Sequence, residues 1–338
     1  MKRQLLGVAA ILLSISTYAQ DNPLWMRYCA ISPDGTTIAF TYKGDIYTVP
    51  STGGRASQIT TNPAHDTKPI WSPDGKKIAF ASDRMGSMDI FEVNKEGGIP
   101  KRLTTHSGNE TPVAYKDAGH ILFLANIMPT VEDAQFPSGQ FQQVYEVNTE
   151  GGRPILFSSM PMEDISINHT GNTLLYHDKK GYEDPWRKHH TSSITRDIWL
   201  CSLNGNRTFR KQTAFNGEDR TPVWASDDKS FYYLSEEKGS FNIFKRDIDG
   251  NTSKQITNHT KHPVRFLSAA SNGTLCYGYD GEIYTVKEGA IPQKVQISIV
   301  TDKNDKDLIR QIKRSGATEI SLSPDAKEIA FVLRGDVY

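Results

Sequence analysis

Cysteine is scarce in this chain: only Cys29, Cys201 and Cys276 occur among 338 residues. They are odd in number and far apart, which argues against a disulfide framework and against a clustered zinc site. Each sits in an apolar, strand-like run and reads as a small buried hydrophobe. An excess of either charge is also missing. Lys plus Arg and Asp plus Glu both total 39, so the formal net charge is zero. Such a chain has no global field to draw nucleic acid or an anionic membrane surface. Long apolar runs are absent too; Leu5 to Ile15 is too short to span a bilayer. Nor does any segment past the N-terminus hold a helical apolar period over ten residues. Lys306 to Lys313 is the one candidate for a helical turn or two. Apolar residues make up 37 % of the chain, which suits thin sheets with many exposed turns.

What is present begins with an export signal. Lys2 and Arg3 precede the short apolar run, and Thr17-Tyr18-Ala19 ends in a small residue. This is the pattern of a cleavable signal peptide over residues 1–19. Gln20 follows where a lipid-modified chain would carry Cys, so no anchor is expected. The mature protein is expected to be secreted, without membrane insertion, and periplasmic in a Gram-negative source.

Internal repetition dominates the remainder. Ser32-Pro33-Asp34-Gly35 precedes Ile38-Ala39-Phe40, and Ser72-Pro73-Asp74-Gly75 precedes Ile78-Ala79-Phe80, an offset of 72 − 32 = 40 residues. Ser323-Pro324-Asp325-Ala326 precedes Ile329-Ala330-Phe331, and weaker copies lie between. A second element follows each triplet, as Gly44-Asp45-Ile46-Tyr47 or Met88-Asp89-Ile90-Phe91. A third closes several copies, as Gly53-Gly54 then Gln58-Ile59-Thr60. Ser-Pro-Asp-Gly is turn chemistry: Pro fixes φ, Asp bonds back to the backbone, and Gly accepts positive φ. The apolar triplets are strands, and the Gly pairs mark further hairpins. One copy therefore holds four antiparallel strands, the unit of a β-propeller blade.

The aromatics of the second strand are Phe40, Phe80, Phe123, Tyr176, Tyr233, Tyr277 and Phe331, with gaps of 40, 43, 53, 57, 44 and 54. Insertions account for the long gaps, around Met128 to Gln140 and Lys179 to Thr195. The fold class expected is all-β: a six-bladed β-propeller of four-stranded antiparallel blades over residues 22–298. A charged linker (299–316) follows, then a truncated first blade of a second propeller (317–338). A single seven-bladed ring stays open as an alternative, with the segment near Leu24 supplying the missing strand.

No catalytic constellation is legible. No G-x-S-x-G occurs, which counts against a complete α/β-hydrolase, and no cofactor or metal site is expected. Trp186-Arg187-Lys188-His189-His190 lies in the fourth-blade insertion. Adjacent histidines on extended chain point to opposite sides and rarely share an ion. The segment reads as a solvated loop, or as one covering the channel mouth, where Trp186, Arg187, His189 and His190 would touch substrate. Arg84, in Ser82-Asp83-Arg84-Met85-Gly86, reads as a local ion pair in a hairpin, or as a contact on the propeller face. The repeated Asp-Ile-Tyr positions read as core and hairpin residues.

Residues 72–84, Ser-Pro-Asp-Gly-Lys-Lys-Ile-Ala-Phe-Ala-Ser-Asp-Arg, resemble the repeats of TolB-type propellers. Asn22-Pro23-Leu24, Gly44-Asp45-Ile46-Tyr47 and the insertion Tyr182 to Trp199, with Trp186-Arg187 and Thr195-Arg196-Asp197-Ile198-Trp199, add to the likeness. So does Ile299 to Tyr338, with Phe331-Val332-Leu333-Arg334-Gly335. Together they resemble the N-terminal part of tricorn-like proteases, whose C-terminal core is an S41-type serine peptidase. The resemblance implies a six-bladed propeller before a seven-bladed one, a PDZ domain and the core. It implies a non-catalytic part that gates or guides peptides. No position here matches the family's catalytic Ser or His, so none is carried over. Partners implied are peptides or unfolded segments and the C-terminal peptidase domains of the same polypeptide, with homo-oligomerisation left open. A stand-alone TolB-like binding propeller and the propeller of a prolyl-oligopeptidase relative are the competing readings. The exported protein should begin at Gln20. N-terminal mass spectrometry of protein from the native source checks this, and a retained Met1 would refute it.

Overall fold

The computed structural model describes residues 23–127, 141–182, 191–300, 315–333 and 335–338. The signal segment, the Met128–Gln140 insertion, Lys306–Lys313 and the Trp186–His190 motif lie outside them. Among the described residues the chain is all-β, and no helix is long and apolar enough to cross a membrane. Six four-stranded antiparallel sheets follow one another, each with its strands in chain order. Their first strands are Arg27–Ile31, Asp66–Trp71, Glu110–Asp117, Met162–Ile167, Asp219–Trp224 and Arg265–Ala269. Each first strand packs against the next one, and the sixth packs against the first. Ile297–Ser298 then pairs in parallel with Gly54–Arg55, a short strand between the third and fourth strands of the first sheet, as a separate two-stranded sheet. A separate three-stranded sheet comprises Ala317–Leu322, Ile329–Leu333 and Asp336–Val337.

The sequence builds each sheet by the chemistry of its turns. In the first, Gly35 at φ 77° makes the turn, the Ser32 hydroxyl donates to Asp34, and Asp34 accepts the Thr36 N–H at 3.0 Å. The Ser32 oxygen in turn accepts the Thr37 N–H at 3.0 Å. Ser72 and Asp74 repeat the arrangement. The hydroxyl and amide donors, led by the serine, hold Asp34 and Asp74 below the usual carboxylate range.

The triplets that follow are buried on both faces. Ile38 and Phe40 belong to the core shared with the sixth sheet, whereas Ala39 belongs to the core shared with the second. The same split holds for Ile121 and Phe123 against Leu122, and for Leu275 and Tyr277 against Cys276. Six apolar clusters result, one at each junction between neighbouring sheets. Directly opposite each second-strand aromatic stands a third-strand aromatic: Phe40 faces Tyr47, Phe80 faces Phe91, and Tyr277 faces Tyr284. Their ring centroids lie 5.8, 6.1 and 5.8 Å apart. Such cross-strand pairs add to the gain from area burial.

The closing Ile-Thr element ties the fourth strand to the third. The hydroxyl oxygens of Thr60, Thr104, Thr213 and Thr257 accept the N–H of Ile46, Ile90, Ile198 and Ile243 at 2.9, 2.9, 3.0 and 2.9 Å. Thr104 then donates to Glu110, and Thr257 to Asn242. Burial pushes Glu110 and Asp219 up to about 7, opposed by hydrogen bonds from Thr104 and from Ser235 and Thr213. A carboxyl whose folded value is raised stabilises the fold below its unfolded value, and that stability is lost as pH rises through the folded one. Each group is expected to forfeit on the order of 3 kcal/mol between its ordinary value and pH 7. Thermal unfolding from pH 4 to 8 should show Glu110→Gln and Asp219→Asn flattening that decline relative to the wild type. Parallel profiles would refute the assignment.

Candidate functional site

The first strands are the least regular part of each sheet. In all six the register against the second strand slips: between Arg27 and Ala30, Thr67 and Ile70, Pro112 and Ala114, Glu163 and Ser166, Arg220 and Val223, and Arg265 and Ser268. Five slips carry a non-glycine residue in the left-handed region: Tyr28 (φ 51°), Lys68 (54°), Asp164 (48°), Thr221 (51°) and Phe266 (57°). The corresponding residue of the third sheet is Pro112, whose ring forbids positive φ. Bulges re-aim side chains and leave backbone unpaired. Here they converge from all six sheets on one cavity of about 690 Å³ along the axis of the ring. A second cavity of about 1640 Å³ shares Tyr28, Lys68, Tyr182, Arg265 and Phe266 with it and opens at that end.

The walls differ in character. Tyr28 and Phe266 contact each other with ring centroids 4.8 Å apart. Gly278 makes room for this pair, because a Cβ there would lie 2.8 Å from the Phe266 ring. Lys68 Nζ stands 5.8 Å from the centroid of Tyr28. Among the described residues no carboxylate lies within 4.0 Å of it. Burial, opposed by the charges of Asp164 and Glu163, pushes its pKa down.

Across the cavity stands a paired network. Glu163 accepts from Lys179 Nζ at 2.7 Å and lies 3.2 Å from His177 Nε2. Arg196 Nη1 donates to Glu218 at 2.8 Å, and Arg196 Nε lies 3.6 Å from Glu163. Asp164 accepts from the Thr221 hydroxyl at 2.7 Å. Burial opposes the charge on Glu163, yet His177 and Lys179 outweigh it and hold the carboxyl well below the usual range. The arrangement can hold an extended polar chain against backbone edges, an aromatic pair and charges of both signs. Among the described residues there is no metal-binding group of three His, Cys, Asp or Glu.

Arg84 lies elsewhere. Its Nη2 binds both oxygens of Asp66 at 2.9 and 2.8 Å, its Nε donates to Ser82, and its guanidinium packs 4.6 Å from the Phe91 centroid. Its ion-pair partner is thus a buried first-strand carboxylate rather than the adjacent Asp83. Trp186, Arg187, His189 and His190 lie outside the described residues, but Lys179 and Tyr182 at the stem of that insertion line the cavity. Sequence reasoning missed Tyr28, Lys68, Asp164, Thr221 and Phe266, because five residue types fill one structural position.

Four-stranded antiparallel sheets arranged around a common cavity define a β-propeller. The chain belongs to the tricorn protease N-terminal β-propeller family, whose model matches residues 23–290. It is 26 % identical over 281 residues to tricorn protease homolog 1 of Streptomyces coelicolor, covering 82 % of this chain and 25 % of that protein. It is 25 % identical over 327 residues to the tricorn protease of Thermoplasma acidophilum, covering 93 % and 29 %. The chain therefore spans about a quarter of the length of these relatives. The crystal structure of the tricorn protease superposes with a TM-score of 0.70 at 22 % identity, over 93 % of this chain and 30 % of that one. TolB from Acinetobacter baumannii superposes at 0.57 with 16 % identity, over 78 % and 61 %.

Among the described residues no carboxylate pairs with Lys68, so burying its ammonium costs stability. Lys68→Met should fold with an unfolding midpoint equal to or above that of the wild type. A midpoint lower by several degrees would make Lys68 a structural residue.

Proposed function

We propose that this chain is the non-catalytic propeller portion of an exported tricorn-like S41 serine peptidase. Its six sheets act as a six-bladed gate that admits or guides peptides to a C-terminal catalytic core. Residues 317–338 are read as the start of a second propeller. The observation that carries this reading is the cavity itself, to which every first strand contributes bulged backbone. An extended peptide has unpaired N–H and C=O groups at every residue, and backbone edges can pair with them. A folded domain cannot enter so narrow a space. Family membership supports the association with peptidase domains. The likeness to TolB favours the alternative, a stand-alone protein-binding propeller.

Fluorescence anisotropy with a labelled unstructured peptide tests the gate. Weak saturable binding is expected, without hydrolysis, and Phe266→Ala should weaken it several-fold by removing one face of the aromatic pair. Equal binding by wild type and variant would place the peptide elsewhere. Hydrolysis that persists through further purification would overturn the non-catalytic reading.

A further inference from the structure

Five of the six junctions between sheets are held by the chain running from one sheet to the next. The sixth, between the first and last sheets, has no such connection. It depends on the Ile297–Ser298 pairing with Gly54–Arg55, on backbone bonds such as Met26 N–H to Gly281 O at 3.1 Å, and on apolar contact. Two of the three cysteines meet at that junction. Cys29 follows the bulge of the first strand, and Cys276 is the middle residue of the sixth triplet. Both are buried in the same cluster; the Cys29 thiol donates to the Phe266 carbonyl oxygen at 3.5 Å, and burial, then the neighbouring Cys29 thiol, push the Cys276 pKa up. The strands that carry them, Arg27–Ile31 and Leu275–Tyr279, pack side by side. Corresponding positions at other junctions hold apolar pairs, Leu122 with Ile165 and Tyr232 with Leu267. Cysteine thus stands at both facing positions of the one junction that chain connectivity does not hold.

We propose that Cys29 and Cys276 form a disulfide that locks the closing junction of the propeller. The bond arises by exchange with an external disulfide R–S–S–R, a small molecule or a protein oxidant. Cys29–SH and Cys276–SH give Cys29–S–S–Cys276, and two R–SH carry away the protons and electrons. An exported chain meets compartments that favour this exchange. Because both thiols are buried, exchange runs before the ring closes or when the junction opens, so mild urea should accelerate it. The bond spans 276 − 29 = 247 residues, a loop long enough for a large effect on the unfolded chain.

The test is a tryptic map of the reduced chain after incubation with oxidised glutathione, without reductant. The expected product joins Tyr28–Lys43 to Phe266–Lys287 and is lighter by two hydrogens than the separate peptides. The unfolding midpoint should rise on the order of 10 °C. Cys201→Ser should keep both effects, and Cys276→Ser should lose both. Free thiols, glutathione adducts alone, a link to Cys201, or a link without a rise in midpoint would each overturn the proposal. The wild-type map decides the matter even where a variant fails to fold.

Discussion

The ring depends on one constraint: each of its six four-stranded sheets must be covered on both faces by a neighbour. A lone four-stranded sheet with apolar residues on both faces would expose one of them to water. The triplet Ile-Ala-Phe meets this requirement within three residues. Its outer members, such as Ile38 and Phe40, pack against one neighbouring sheet, and the middle one, Ala39, packs against the other. No polar alternation appears in these strands because neither face is wet. A ring is the arrangement that gives every such sheet two neighbours. Coverage therefore propagates around the molecule, and the junction between first and last sheets bears the same apolar load as the others.

The cavity follows from the same geometry. Sheets packed face to face around an axis crowd their first strands together, and a regular ladder there would point alternate side chains into the centre. The register slips break that ladder and turn Tyr28, Lys68, Asp164, Thr221 and Phe266 into left-handed backbone. Left-handed backbone costs a non-glycine residue of order 1 kcal/mol or more, and the surrounding sheets must over-determine it. Gly278, against which the Phe266 ring is seated, is one such support.

Turn chemistry and triplets were legible because each uses fixed residue types at fixed offsets. Ser32, Pro33, Asp34 and Gly35 each have one job, and the 40-residue spacing repeats it. The Ile-Thr element was visible as a pattern, but its task was not: only in the fold does Thr60 take the Ile46 N–H. The cavity was illegible for a physical reason. Its residues share a backbone position, while their chemistry runs from Lys to Phe, so no sequence period marks them. Arg84 drew attention as a charged residue in a loop, yet it neutralises buried Asp66 within its own sheet. The closing junction was hidden likewise, since 247 residues separate Cys29 from Cys276.

The charges around the cavity are distributed in a way that separates structure from use. Glu163, His177, Lys179, Arg196 and Glu218 satisfy one another on one side, where loss of any member would leave a buried charge without its partner. That network fixes the wall. Lys68 faces it without a carboxylate partner among the described residues, beside an aromatic surface that cannot accept a strong hydrogen bond. A partly buried ammonium in such a place gains from a group that brings negative charge or a free carbonyl oxygen. The paired network thus fixes one wall of the cavity, while Lys68 lines it beside the Tyr28 ring.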